Sequence, residues 1–183
     1  LMVDIRGFTP LSESLSLDVI IRFLNRYFAR MIDLIHRHDG IIVDFFGDSV
    51  LVFFDPVEGP VAPMTQRCIR CAFNMQSEMT DFNRENKEQG LPALEMGIGI
   101  NAGEVVVGNI GSEKRAKYGI VGSPVNMTQR IQSHARGGEV LISETVYRHV
   151  SEMVTIERTV HTAVKGVEGE VTLYGVRVSP AEI

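Results

Sequence analysis

The order in which two kinds of apolar pattern alternate along the chain limits its fold most. Leu1 to Ile5 has the character of a strand end, broken by Gly7 to Pro10. Ser12 to His38 follows, with Ile20, Leu24, Tyr27, Phe28, Met31 and Ile35 at helical spacing. Asp39-Gly40 is expected to end that helix, with the glycine in the left-handed conformation. Two apolar runs, Ile41 to Phe46 and Val50 to Phe54, flank Gly47-Asp48 and predict a hairpin. Asp55 to Pro63 predicts a loop, and Met64 to Glu88 a second helix with Ile69, Ala72, Phe73, Met75 and Phe82 inward. Met96 to Ile110 predicts a second hairpin bent at Asn101-Ala102-Gly103, and Gly111 to Tyr118 a polar, basic loop. Ser123 to Ala135 predicts a helix capped by Ser123, with Pro124 at its first position. A strand at Val140 to Ile142, a helix at Glu144 to Val150 and strands near 154–160 and 172–178 complete the pattern. Hairpins lying between helices do not build a doubly wound parallel sheet, so the expected class is α+β with a mostly antiparallel sheet.

The 183 residues are the length of one domain, taken here as residues 1–183, enough to bury about 70% of the unfolded surface. The net charge of -5, from 23 acids and 18 bases, opposes duplex binding, which needs a basic face to displace counterions. No nucleic-acid partner is expected. Two cysteines make no disulfide framework, and a reduced, cytoplasmic setting follows as the simplest expectation. Cys68-Ile69-Arg70-Cys71 lies inside a predicted helix, which favours packed thiols over redox chemistry. No apolar run approaches the ~20 residues that span a bilayer. The strand-like start at Leu1 predicts a sequence cut from a longer polypeptide, whose sensor or membrane domain would lie upstream.

Three candidate sites stand out. Asp4 ends a strand just before Gly7-Phe8-Thr9 and a helix, where a carboxylate can hold a hard cation and free backbone N–H groups can bind phosphate. Asp48 sits at a hairpin tip, which can bring its carboxylate beside that of a neighbouring strand, as two-metal phosphoryl chemistry needs. A helix cap and a turn residue are the plainer roles for this pair. Asn126 and Arg130 are four apart on one helix face, where an amide and a guanidinium can orient a ribose and clamp a phosphate. An ordinary solvated face is the alternative.

Together, Val3-Asp4-Ile5-Arg6-Gly7-Phe8-Thr9, Phe46-Gly47-Asp48-Ser49-Val50, Gly97-Ile98-Gly99-Ile100-Asn101-Ala102-Gly103 and Tyr118-Gly119-Ile120-Val121-Gly122, running into Val125-Asn126 and Arg130, resemble the catalytic domain of class III nucleotidyl cyclases, the adenylyl and guanylyl cyclases. The resemblance covers essentially the whole chain. It implies a ferredoxin-like βαββαβ core extended by C-terminal strands and helices, and a head-to-tail homodimer with active sites at the interface. It implies two Mg2+ or Mn2+ ions held by Asp4, Asp48 and the carbonyl of Ile5, with Asn126 orienting the ribose and Arg130 stabilising the α-phosphate from the other subunit. Lys165 would reach the triphosphate tail, and Arg115 is a weaker phosphate candidate. The implied reaction is attack of the ribose 3′-oxygen on the α-phosphorus of a purine nucleoside triphosphate, expelling pyrophosphate.

The base pocket departs from the pattern. Adenylyl cyclases commonly carry a lysine four residues before the second metal aspartate, where this chain has Asp44, and an aspartate or threonine where it has Gly119. Asp44 accepts hydrogen bonds, as the glutamate usual in guanylyl cyclases does. The background of the family favours ATP and cyclic AMP, with GTP the alternative. A catalytically silent regulatory domain is a further alternative. A diguanylate cyclase is disfavoured, because Phe46-Gly47-Asp48-Ser49 lacks that family's turn.

Overall fold

The computed structural model describes residues 1–56, 59–112, 115–163 and 169–178. The elements run β1 (Met2–Ile5), α1 (Phe8–Ser14), α2 (Leu17–Arg37), β2 (Ile41–Phe46), β3 (Ser49–Phe53), α3 (Val61–Glu88), β4 (Met96–Ile100), β5 (Val106–Ser112), β6 (Arg115–Val121), α4 (Ser123–His134), β7 (Val140–Ser143), α5 (Glu144–Val150), β8 (Val154–Ala163) and β9 (Glu170–Val178).

Seven strands form one sheet in the order β2-β3-β1-β4-β7-β9-β8. β1 pairs antiparallel with both β3 and β4, and β2 antiparallel with β3, which is the ferredoxin-like βαββαβ arrangement expected. β7 joins parallel to β4, and β9 and β8 extend the sheet antiparallel. The period-two alternation of each strand divides the sheet into two faces. Val3, Ile5, Val50, Val52, Met96, Ile98 and Ile100 pack against Phe23, Tyr27 and Met31 of α2 and Ile69, Met75 and Phe82 of α3 in the main core. Each such side chain contributes about 1.5–3 kcal/mol by leaving water. On the other face Ile131 of α4 and Ala135, which follows the helix, meet Leu141 and Leu173. There Gly99 brings helix and sheet together: a Cβ on it would lie 2.4 Å from the backbone nitrogen of Gln132.

Five local expectations are corrected. The single helix over Ser12 to His38 is two, divided at an extended Leu15. The Ser12 and Ser14 hydroxyls donate to the carbonyls of Thr9 and Leu11, competing with the helical ladder. The left-handed residue after α2 is Asp39, at φ 56, rather than Gly40. Gly40 is a packing requirement, since a Cβ there would sit 2.8 Å from Ile35 Cγ2 and 2.9 Å from Val52 Cγ1. The second hairpin is not β4 folded on β5: β5 pairs with β6, so most of the predicted basic loop is strand, and the two form a separate ribbon. Finally, α4 is capped by Gly122, and Ser123 stands at its first position with no side-chain cap bond. α3 also starts earlier than expected, at Val61.

Candidate functional site

The site grows from the C-terminal end of β1. Val3 pairs with Val50, which sets Asp4 beside Ser49, and the Ser49 hydroxyl donates to Asp4 Oδ2 at 2.5 Å. Gly47, at φ 64, lets β2 turn into β3 in two residues and swings Asp48 back towards β1. Asp48 Oδ2 accepts from the backbone N–H of Ile5 at 3.1 Å. The two carboxylates therefore meet at one strand end, each fixed by a different neighbour. Burial and then the negative charge of Asp4 push the Asp48 carboxyl above the ordinary aspartate value, against the pull of the Asp48 and Ile5 N–H groups and Arg6. Half-buried like charges of this kind suit a hard divalent cation, which removes the repulsion. Among the described residues no three His, Cys, Asp or Glu side chains cluster at ligand spacing. Two carboxylates with a main-chain carbonyl, water and substrate phosphates supplying the rest is a set that fits Mg2+ or Mn2+.

Beside this pair, Gly7 is left-handed at φ 68 and α1 begins at Phe8, with no side chain capping its first turn. Thr9 is exposed and Phe8 packs partly against the core. On α4, Thr128, Ile131 and Gln132 are buried and anchor the helix. Asn126 and Arg130 lie on the outer side, Asn126 exposed and Arg130 partly so, and neither side chain has a hydrogen bond or ion pair among the described residues. Sequence spacing is thus matched by a shared, open face. Lys165 and the side chain of Arg115 lie outside the described residues; Arg115 opens β6.

Asp44 lies just past a bulge in β2. It is neither unpaired nor free in solvent: its carboxylate is ion-paired with Lys117 of β6 and accepts from Phe45 N at 3.1 Å. The Lys117 hydrogen bond holds its carboxyl below the usual aspartate range. Lys117 escaped the sequence reading, although it stands two residues before Gly119 and therefore on the same face of β6. Gly119 is buried, and Ile110 Cδ1 would lie 3.1 Å from a Cβ placed there. Arg6 also escaped notice. Its guanidinium joins Asp4 Oδ1 at 3.4 Å to the carbonyl of Gln132 at 2.5 Å. The one signal for it was Gly97, opposite Asp4 in the β1–β4 ladder.

An apolar groove of about 630 Å³, lined by Val52, Phe54, Met64, Ile100 and Val125 among others, opens at the other end of β1 from the carboxylates. Cys68 and Cys71 are buried free thiols, as expected. No helix among the described residues is long and apolar enough to cross a membrane.

Comparison with known proteins agrees with this geometry. An adenylate cyclase of Anabaena cylindrica is 34% identical over 97% of this chain and 36% of its own length. Adenylate cyclase 1 of Rhizobium meliloti is 30% identical over 96% of this chain and 27% of its own. The chain thus spans about a third of the length of these curated relatives. Among solved structures, the guanylyl cyclase Cya2 matches with TM-score 0.91 at 42% identity, covering 98% of this chain and 91% of that one. The adenylyl cyclase CyaB from P. aeruginosa matches with TM-score 0.94 at 34% identity, covering 100% and 94%. Residues 1–177 match the family described as the adenylate and guanylate cyclase catalytic domain, and the chain belongs to that family.

Proposed function

We propose that this chain is the catalytic domain of a nucleotide cyclase, converting ATP to 3′,5′-cyclic AMP and pyrophosphate at sites shared by two copies. The observation that carries the reading is the convergence of Asp4 and Asp48 at the end of β1, two like charges that Arg6, paired with Asp4 at 3.4 Å, offsets only in part. Asp4, Asp48 and the Ile5 carbonyl would hold two Mg2+ or Mn2+ ions. Such ions, when bound, lower the pKa of a ribose 3′-hydroxyl and offset charge on the phosphates. The N–H groups around Gly7, Phe8 and Thr9 would bind phosphate oxygens, with Lys165 and Arg115 as further cations. Asn126 would orient the ribose, and Arg130 would meet the charge that develops on the α-phosphate.

A homodimer is supported by the β5–β6 ribbon. A two-stranded ribbon is marginal alone, and this one exposes Val106 at 75%, Val121 at 54% and Tyr118 at 48%. An apolar surface of this kind asks for a protein partner. A second copy would also supply Asn126 and Arg130 to the carboxylates. A cytosolic setting fits two cysteines that are free and buried.

ATP is the first substrate because both curated relatives above are named adenylate cyclases. GTP is a second reading, favoured by the Asp44–Lys117 pair. A held carboxylate accepts from both N1–H and the 2-amino group of guanine while the ammonium meets O6. Adenine offers one contact to each. The 42% identity to a guanylyl cyclase supports the same reading. The test is to incubate the purified domain with Mn2+ and either ATP or GTP and identify the product. Cyclic AMP supports the first reading and cyclic GMP the second. No product from a dimeric preparation sinks both.

A further inference from the structure

Arg6 occupies a place that stability alone explains poorly. Its backbone N–H donates to Glu95 O at 2.7 Å, which fixes it where β1 leaves the sheet. From there the side chain crosses β4 over Gly97, where a Cβ would lie 2.2 Å from Nη2. Nη1 reaches Asp4 Oδ1 at 3.4 Å, and Nη2 donates to Gln132 O at 2.5 Å in the last turn of α4. Gln132 returns the contact through Nε2, which donates to Gly97 O at 3.3 Å. The cost of the arrangement is visible. Among the described residues, Nε of Arg6 is buried with no acceptor. A buried donor left unmade is a feature that a neutral side chain would avoid, and in a native structure it calls for an explanation.

We propose that Arg6 is a positioning residue that fastens the carboxylate pair to the helix carrying Asn126 and Arg130, and so couples the two half-sites that each chain gives to different active sites of the dimer. The proposal rests on the cyclase reading above. Gln132 is two residues beyond Arg130 on α4, so the guanidinium holds the helix end whose outer side presents Arg130. Its planar fork presents separate nitrogens to an anionic oxygen and a helix carbonyl in one fixed geometry, where a lysine offers a single nitrogen on a flexible stem. Gly97 and Gly99 form the floor that admits the guanidinium and the Gln132 backbone.

The test uses mixed dimers. An Asp4→Ala chain paired with an Arg130→Ala chain contains one complete site, with carboxylates from the second chain and Asn126 and Arg130 from the first. Arg6→Ala is then added to either chain. Both placements are expected to lower kcat by about 10–100-fold, the usual effect of losing a supporting contact, with KM for the nucleotide little changed. Gly97→Ala, which displaces the guanidinium without altering it, is expected to reproduce the loss, and the two changes in one chain are expected to add nothing further. In the metal-free, nucleotide-free chain, amide hydrogen exchange at residues 132–135 is expected to quicken in both variants. A loss from one placement only, additive losses, or unchanged exchange would overturn the proposal. Inactivity of the mixed dimer before Arg6 is touched would sink the shared-site reading and the coupling with it, whereas unchanged exchange alone sinks only the Arg6 link.

Discussion

Asp48→Asn separates what the site costs the fold from what it gives the chemistry. The amide keeps an oxygen to accept from Ile5 N, which Asp48 now does at 3.1 Å. It removes one of two like charges at a half-buried strand end. Two unit charges 4 Å apart repel by about 1 kcal/mol in water and about 4 kcal/mol at protein-surface dielectric, and partial exposure of Asp48 takes the lower end. The metal-free variant should therefore gain about 1 kcal/mol, or about 2–4 °C in Tm for a chain of this length. The sign with pH follows from the raised carboxyl. Ionised Asp48 costs stability at neutral pH, and protonation removes that cost, so the gap between variant and parent closes as the pH falls into the carboxylate range. Mn2+ should raise Tm of the parent and leave the variant nearly unmoved, and cyclase activity of the variant should be lost. Melting curves with and without Mn2+ at two pH values check all of this. A metal-free Tm lower than the parent's, or retained metal-dependent turnover, would refute the reasoning.

Further outcomes are expected elsewhere. Lys117→Ala releases Asp44 from its ion pair; it should change stability by less than about 1 kcal/mol, because the lysine is largely exposed, yet shift the ratio of ATP to GTP turnover, and an unchanged ratio would remove the pair from base recognition. Burial pushes the Cys68 thiol up to about 11 and the Cys71 thiol up to about 12, so a thiol reagent at neutral pH should label both only after denaturation. Arg158→Ala breaks a two-pronged contact to Glu139, 2.7 Å on each arm, and should cost about 2 kcal/mol in urea unfolding at neutral pH. Burial alone would raise the Glu139 carboxyl, but Arg158 and the Arg136 N–H outweigh it and hold it low. That share of stability is present above the ordinary glutamate range and lost as pH falls, so the cost of the substitution should shrink in acid.

The amphipathic period made α2 and α3 legible, and the Gly47-Asp48 turn made the β2–β3 hairpin legible, because each signal is local. The β5–β6 ribbon was not. Its strands carry three glycines and little alternation, and they form a sheet of their own, so nothing periodic marked them. Within the site, residue type at a strand end or on one helix face marked Asp4, Asp48, Asn126 and Arg130 as candidates, and the roles expected of them came from the family resemblance. Arg6 and Lys117 act through partners 126 and 73 residues away, and such pairings are made by the sheet rather than by the local chain. The same holds for Gly97 and Gly99, whose role appears only when α4 lies over β4.

Subunit complementation tests the central claim most directly. Asp4→Ala and Arg130→Ala chains, each inactive alone, are mixed in equal amounts with Mn2+ and nucleotide, and cyclic product is measured. Random pairing makes half of the dimers mixed, each with one complete site, so activity should return to about a quarter of the parent level. No return of activity in a preparation whose mixed dimers are confirmed would contradict the account.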